Sequence, residues 1–272
     1  MKKIIPCIDW DSSWKHSYQC DLLEIYGERK KSGYSYAYAN RSKHTLKIIQ
    51  EIAQPGEAVL DLAAAQGNFS LALAELGYTV TWNDLREDLV NYVELKRENG
   101  VINYQPGNIF DLNVNSKFSV VLLAEIIEHV AHPDQFLKKI SSLIEPGGYI
   151  VMTTPNGEYF RNNLPKFSEC PDPEKFEAMQ FQPDSDGHIF LLHLDEIKEI
   201  AREANLELLK LDLITNPLTN GHVKLHKVLP FLPSSFVHGL EKVTRSLPIT
   251  IRRKVHTCTI ALLRKPKESC SL

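Results

Sequence analysis

From Lys43 onward, short apolar runs rich in β-branched residues alternate with longer segments of helical period, the signature of βαβ units around a parallel sheet. The runs predict strands over 58–62, 78–82, 102–105, 118–123, 149–153, 206–214 and 257–263. Helices are expected over about 68–75, 87–98, 133–143 and 194–204. His132-Pro133-Asp134 reads as a helix start, because proline is pre-set for the first helical position and aspartate complements the dipole. Glu145-Pro146-Gly147-Gly148 reads as a break that turns the chain back into a strand. The fold class that follows is α/β: a doubly wound, mostly parallel seven-stranded sheet with insertions, in one domain over 1–272.

Three segments depart from the alternation. Residues 1–42, with Trp10, Trp14, Tyr18 and Tyr34-Ser35-Tyr36-Ala37-Tyr38, read as an ordered N-terminal cap over the mouth of the site. Residues 155–190 carry Pro155, Pro165, Pro171, Pro173 and Pro183 and follow a strand's carboxyl end, which points to a lid or substrate loop. Residues 215–255 mix Val228, Leu229, Phe231, Leu232, Phe236, Val237 and Leu240 with Lys224, Lys227, Lys242, Arg245, Arg252 and Arg253. Two readings fit that insertion: an amphipathic cap packed on the sheet, or an element that meets a membrane surface or a partner.

Composition narrows the partners. A hydrophobic content of 43% in 272 residues is enough for a full core. The formal charge of -3 gives no global field for a polyanion, so a nucleic-acid acceptor would need a local patch. Cys7, Cys20, Cys170, Cys258 and Cys270 are scattered and form no C-x-x-C pair, as expected in a reduced, cytoplasmic setting. The opening run after Lys2-Lys3 is interrupted by Pro6 and stopped by Asp9, unlike a signal peptide. No stretch approaches the roughly 20 apolar residues of a spanning helix, which leaves a soluble chain or one in peripheral contact with a membrane.

In an open α/β sheet, ligands bind beyond the carboxyl ends of the strands where the strand order reverses, so the turn after the first strand is the place to look. That turn runs from Asp61 to Gly67, with small residues at Ala63, Ala65 and Gly67. It resembles the first motif of the class I methyltransferases, D/E-x-G-x-G-x-G, with Asp61, Ala63, Ala65 and Gly67 in the defined places. Alanine tolerates positive φ poorly, so a slightly remodelled turn is expected. The rival dinucleotide fold wants G-x-G-x-x-G around a pyrophosphate, which Asp61 would repel. A carboxylate there suits a cofactor with an ammonium and a sulfonium; the bland alternative is a helix N-cap.

The resemblance continues at four further stations over residues 57–156. Asp84, with Leu85 beside it, ends the second strand, where a carboxylate accepts hydrogen bonds from ribose hydroxyls. Pro106-Gly107-Asn108-Ile109-Phe110-Asp111 is similar to the family's G-D-x-x-D/E segment, which implies Asn108 at the adenine amino group and Ile109 against the ring. Phe118 to Ala124, followed by Glu125-Ile126-Ile127-Glu128-His129-Val130, resembles the strand F-D-x-V and then E-x-x-E-H-V, placing Ala124 at the cofactor. Leu143-Ile144-Glu145-Pro146-Gly147-Gly148 resembles L-x-P-G-G. The resemblance thus implies a Rossmann-like methyltransferase with S-adenosyl-L-methionine as cofactor.

Methyl transfer from a sulfonium is an in-line displacement in which the acceptor is held about 3 to 3.5 Å from the methyl carbon and relieved of its proton. His129 is the candidate base, with Glu125 as its catalytic companion; the bland alternative is a histidine that caps or packs the segment. Glu125, Glu128 and His129 are spaced i, i+3 and i+4, which on a helical turn aims them at one face. With His188, in Asp186-Gly187-His188-Ile189-Phe190, they form a mixed O/N set suited to Mn²⁺ or Mg²⁺, against the alternative of solvated surface carboxylates.

Here the resemblance sharpens to two groups. Glu125, Glu128, His129, Val130 and Pro133 match the E-x-x-E-H-V-x-x-P of ubiquinone-biosynthesis O-methyltransferases. Thr154-Pro155-Asn156-Gly157-Glu158-Tyr159, with His188 and Phe190, is similar in part to the small-RNA 3′-terminal 2′-O-methyltransferases, although Leu191-Leu192 replaces their Glu-Trp. The implied function is O-methylation of a small-molecule hydroxyl on a phenol, quinol or sugar. The alternatives are a metal-dependent RNA 2′-O-methyltransferase and, prompted by Ala63 and Ala65, a non-catalytic methyltransferase-like binding subunit.

Overall fold

The computed structural model describes residues 1–26, 33–112, 117–177, 187–222 and 227–267. Pro183 and Asp186 of the expected lid, Lys224 of the later insertion, and Cys270 lie outside the described residues.

Seven strands, β1 (Ala58–Leu62), β2 (Thr79–Asn83), β3 (Val101–Tyr104), β4 (Phe118–Ala124), β5 (Ile144–Pro155), β6 (Glu207–Ile214) and β7 (Cys258–Arg264), form one sheet in the order β3-β2-β1-β4-β5-β7-β6. The first five run parallel, and β7 is antiparallel to both neighbours. The doubly wound, seven-stranded architecture expected from the sequence is therefore the one observed. The central strands read as unbroken apolar runs because both faces are covered. Alternate residues feed opposite layers: Leu60, Leu62, Val121, Leu123, Ile150 and Met152 on one side, Val59, Val120, Leu122 and Val151 on the other. The strand order reverses between β1 and β4, so their carboxyl ends open a crevice at that point.

The helices are α1 (Ser12–Glu24), α2 (Gly33–Ile52), α3 (Asn68–Glu75), α4 (Leu89–Lys96), α5 (Pro133–Leu143), α6 (Glu174–Glu177), α7 (Leu194–Glu203), α8 (Ser234–Arg245) and α9 (Ile249–Val255). Pro133 does open α5, with Asp134 in its first turn. The N-terminal segment contains α1 and the start of α2. Asp11 caps α1 by accepting from the Trp14 N–H at 2.8 Å.

Two local expectations change. Glu145–Gly148 is not a separate loop but lies within β5, absorbed by a register shift against Phe118 and Val120 and by positive φ at Gly147. The segment 155–190 is divided: Ile189 and Phe190, with Leu192 just beyond, are buried in the main core, and the Ile189 N–H donates to the Glu128 carbonyl at 3.0 Å. That end is framework. In the later insertion, α8 turns Val237 and Glu241 inward, and Glu241 accepts from the Thr215 and Asn216 N–H groups at 2.6 and 3.1 Å. Among the described residues no helix is long and apolar enough to cross a membrane.

Candidate functional site

The turn after β1 holds three left-handed residues in alternation: Ala63 at φ 49°, Ala65 at φ 48° and Gly67 at φ 70°. Both alanines adopt the conformation that glycine favours, so the expected remodelling does not occur. Each left-handed alanine costs roughly 1–2 kcal/mol. Surrounding hydrogen bonds hold the shape: Ala64 N–H to Asn83 O at 2.8 Å, Ala65 N–H to Asp84 Oδ2 at 2.8 Å, and Trp82 Nε1–H to Ala65 O at 3.1 Å. Gly67 is required twice over, since a Cβ there would sit 2.8 Å from the Val93 methyls. Asp61 is buried beneath the turn and accepts from the Ser70 hydroxyl at 2.6 Å. Burial, helped by the charge of Asp84, pushes its carboxyl up to about 7.

Three cavities line up along the crevice. The first, of 360 Å³, is walled by Leu62, Ala63, Asp84, Leu85, Asn108 and Ile109 among others. The second, of 320 Å³, is walled by Asp61, Ala63, Ala124, Glu125, Arg41 and Tyr38 among others. The third, of 680 Å³, is bordered by Arg41, Glu125, His188, Tyr159, Arg161 and Asn162 among others. Ala63 belongs to the first two, and Tyr34, Tyr38, Arg41 and Glu125 to the last two. The expected cofactor residues Asp61, Ala63, Asp84, Leu85, Asn108, Ile109 and Ala124 thus share one trough, while Gly67 shapes the turn without reaching its wall. Asp84 also accepts at Oδ1 from the Arg86 N–H at 2.9 Å and Nε at 3.2 Å. A carboxylate has about four acceptor positions, so with the Ala65 N–H on Oδ2 these bonds leave about one for a ligand's hydroxyl.

The residues after β4 separate into two groups. Glu125 has a left-handed backbone, φ 58°, and only Ile127–His129 form a helical turn, of the tight 3-10 kind. The expectation that Glu125, Glu128 and His129 share one helical face therefore fails. Glu125 pairs with Arg41 at 3.1 Å at the junction of the second and third cavities. Donor atoms of Glu128, His129 and His188 instead lie within 4.8 Å of one another, with Glu125 outside the group. The His129 Nδ1–H donates to the Gly187 carbonyl at 3.0 Å, which makes Nε2 the nitrogen with the lone pair. Its ring centroid is 4.9 Å from that of His188, and it is His188 that faces the large cavity.

Glu128 is fully buried; Oε2 accepts from the Thr154 hydroxyl at 2.9 Å, while Oε1 has no hydrogen-bond partner and lies 4.0 Å from His188 Nε2. Burial, then the charge of Glu125, raises its carboxyl well above the usual range. One orphaned carboxylate oxygen beside two imidazoles fits a borderline divalent cation.

Several side chains at this site carry no motif. Asp21 of α1, fully buried, accepts from Lys96 Nζ at 2.8 Å, Tyr92 OH at 2.7 Å and Asn68 Nδ2 at 2.9 Å. Glu24 accepts from Tyr34 OH at 2.6 Å and from Asn68 Nδ2 and Gln66 Nε2 at 2.8 Å each. Through these bonds α1 closes over the second cavity. Arg41, on α2, has a buried Nε without a hydrogen-bond partner. The only sequence signal was indirect: Asn68 directly follows the motif's Gly67, and Arg41 follows the run of tyrosines.

Residues 35–211 match the family model of a methyltransferase domain. The chain is 35% identical over 136 residues to the ubiquinone biosynthesis O-methyltransferase of Coxiella burnetii, which covers 44% of this chain and 57% of that protein. It is 32% identical over 135 residues to the Xanthomonas campestris protein of the same name, covering 44% of this chain and 56% of that one. The chain thus spans less than two thirds of these relatives. Among solved structures, a putative sarcosine dimethylglycine methyltransferase from Galdieria sulphuraria superposes with a TM-score of 0.59 at 15% identity, over 94% of this chain and 99% of that one. The N-methyltransferase NodS of Bradyrhizobium japonicum, in complex with S-adenosyl-L-homocysteine, gives 0.55 at 11%, over 94% and 100%. Such identities speak for the fold alone. Fold and matched domain agree: the chain belongs to the methyltransferase-domain family and has the fold of the S-adenosylmethionine-dependent methyltransferases on which it superposes.

Proposed function

We propose that the chain transfers the methyl group of S-adenosylmethionine to a hydroxyl of a small molecule held in the 680 Å³ cavity. The observation that carries this reading is the line of three cavities, joined at Ala63 and at the Arg41–Glu125 pair. The cofactor, when bound, supplies an electrophilic methyl on a sulfonium. In the first cavity Asp84 would accept from a ribose hydroxyl, Asn108 from the adenine amine, and Ile109 and Leu85 would cover the ring. In the second, Asp61 favours the ammonium through the left-handed turn, and Arg41 holds the carboxylate. Ala124 and Glu125 would line the cofactor's side of the passage, with Glu125 bordering the third cavity as well.

His188 faces the acceptor and would receive the hydroxyl proton, while His129, anchored by the Gly187 carbonyl, packs beside it and positions its ring. The names of the curated relatives favour oxygen as the acceptor atom. A second reading is motivated by the orphaned Glu128 Oε1: Glu128, His129 and His188 would hold Mn²⁺ or Mg²⁺, which lowers the pKa of a coordinated hydroxyl. An RNA 2′-hydroxyl acceptor belongs to that reading.

The test is transfer of labelled methyl onto phenols, quinols, sugars and RNA, with and without EDTA. Label on a small hydroxyl compound is expected, with turnover falling by about 10² to 10⁴ in His129→Ala while cofactor affinity holds. Loss in EDTA with recovery in Mn²⁺ would select the cation. Label on RNA alone would overturn the small-molecule reading. Cofactor binding without transfer to any acceptor would favour a non-catalytic subunit.

A further inference from the structure

We propose that the outer face of α8 and α9 is a docking surface for an anionic lipid bilayer. Helix α8 carries an apolar stripe away from its buried face. Val237 faces the protein, while Phe236, Leu240 and Val243, spaced i, i+4 and i+7, lie on the opposite side, with Phe236 52% and Val243 63% exposed. Phe231, in the turn before α8, is 84% exposed, and Ile249 and Ile251 of α9 are exposed as well. The inner faces of both helices hang on one residue of the edge strand, since Arg245 of α8 and Arg252 of α9 both pair with Asp212. The face of α8 that carries Phe236 and Val243 is therefore directed away from the sheet.

Charge favours lipid as the occupant. Between 227 and 255 the chain carries Lys227, Lys242, Arg245, Arg252, Arg253 and Lys254 against a single acid, the buried Glu241, although the whole chain is at -3. Asp212 engages Arg245 and Arg252, and Glu158 engages Arg253. Lys227, Lys242 and Lys254 are exposed and have no ion pair among the described residues. Exposed apolar side chains rimmed by lysines suit a helix lying in the headgroup region, with the cations drawn to anionic lipid. A second copy fits poorly, because a two-fold interface would set this basic face against itself. The surface also borders the acceptor cavity: the N–H of Phe160, between the lining residues Tyr159 and Arg161, donates to the Lys254 carbonyl at 3.0 Å.

The experiment is flotation of the full chain with vesicles of phosphatidylcholine alone and of phosphatidylcholine with phosphatidylglycerol. Binding is expected only with phosphatidylglycerol, and should weaken as salt rises from about 50 to about 500 mM. Roughly tenfold losses are expected in the triple variant F231S/F236S/V243S and in K227E/K242E/K254E, both with unchanged cofactor affinity by calorimetry. Failure of the wild type to float with either vesicle would overturn the proposal. So would binding that survives both variants, or sedimentation as a dimer that the serine variant dissociates.

Discussion

At the scale of single residues, the turn after β1 shows how a motif survives the loss of its glycines. Ala63 and Ala65 keep left-handed backbones because Asp84, Asn83 and Trp82 bond the groups between them. The strain is local and should be recoverable. Ala63→Gly and Ala65→Gly each relieve roughly 1–2 kcal/mol of strain and give back about 0.4–1 kcal/mol of unfolded-state entropy. A net gain of about 0.5–1 kcal/mol per site is therefore expected in urea unfolding without cofactor. A loss of that size would show that the turn is not held left-handed. Asp61 shows a second residue-scale effect: a carboxylate hidden from water sits near neutrality and is ready to respond to a cationic ligand.

At the scale of elements, α1 is tied to α4 by a buried ion pair, beside the aromatic packing of Trp14 and Tyr18. Lys96 and Asp21 are both fully buried, and desolvation pulls the lysine's pKa down while Asp21 opposes it. Lys96→Met would leave Asp21 unpaired and should destabilise by about 3–5 kcal/mol. Asp21→Asn combined with Lys96→Met should cost clearly less than the sum of the single changes, as read from denaturant unfolding. Additive losses would mean that the pair does not act as a unit. The same chemistry explains what the sequence hid. The strands and α3, α5 and α7 were legible because their buried positions are apolar at periods of 2 and 3.6. The inward residues of α1 are Ser17 and Asp21, so no hydrophobic period marks it. Glu145-Pro146-Gly147-Gly148 read as a break because the bulge that keeps it in β5 depends on a neighbour, β4. The grouping of Glu128 with His188 without Glu125 depends on one positive φ, which spacing does not reveal.

At the scale of the whole molecule, the strand reversal between β1 and β4 opens the crevice, α1 closes over its second cavity, and the largest of the three cavities described lies beyond Glu125. The central claim is that S-adenosylmethionine lies across the left-handed turn with its ammonium favoured by Asp61. Its most direct test is calorimetric titration of the cofactor at several pH values, in two buffers of different ionisation enthalpy. In the free protein burial holds Asp61 protonated up to about 7. A cationic ligand favours the ionised form, so binding must release a proton below that pH, and affinity must rise from about pH 5 to about 7 and then level. Asp61→Asn should abolish both the proton release and the slope. Binding that is indifferent to pH over this window, or no binding at all, would contradict the account.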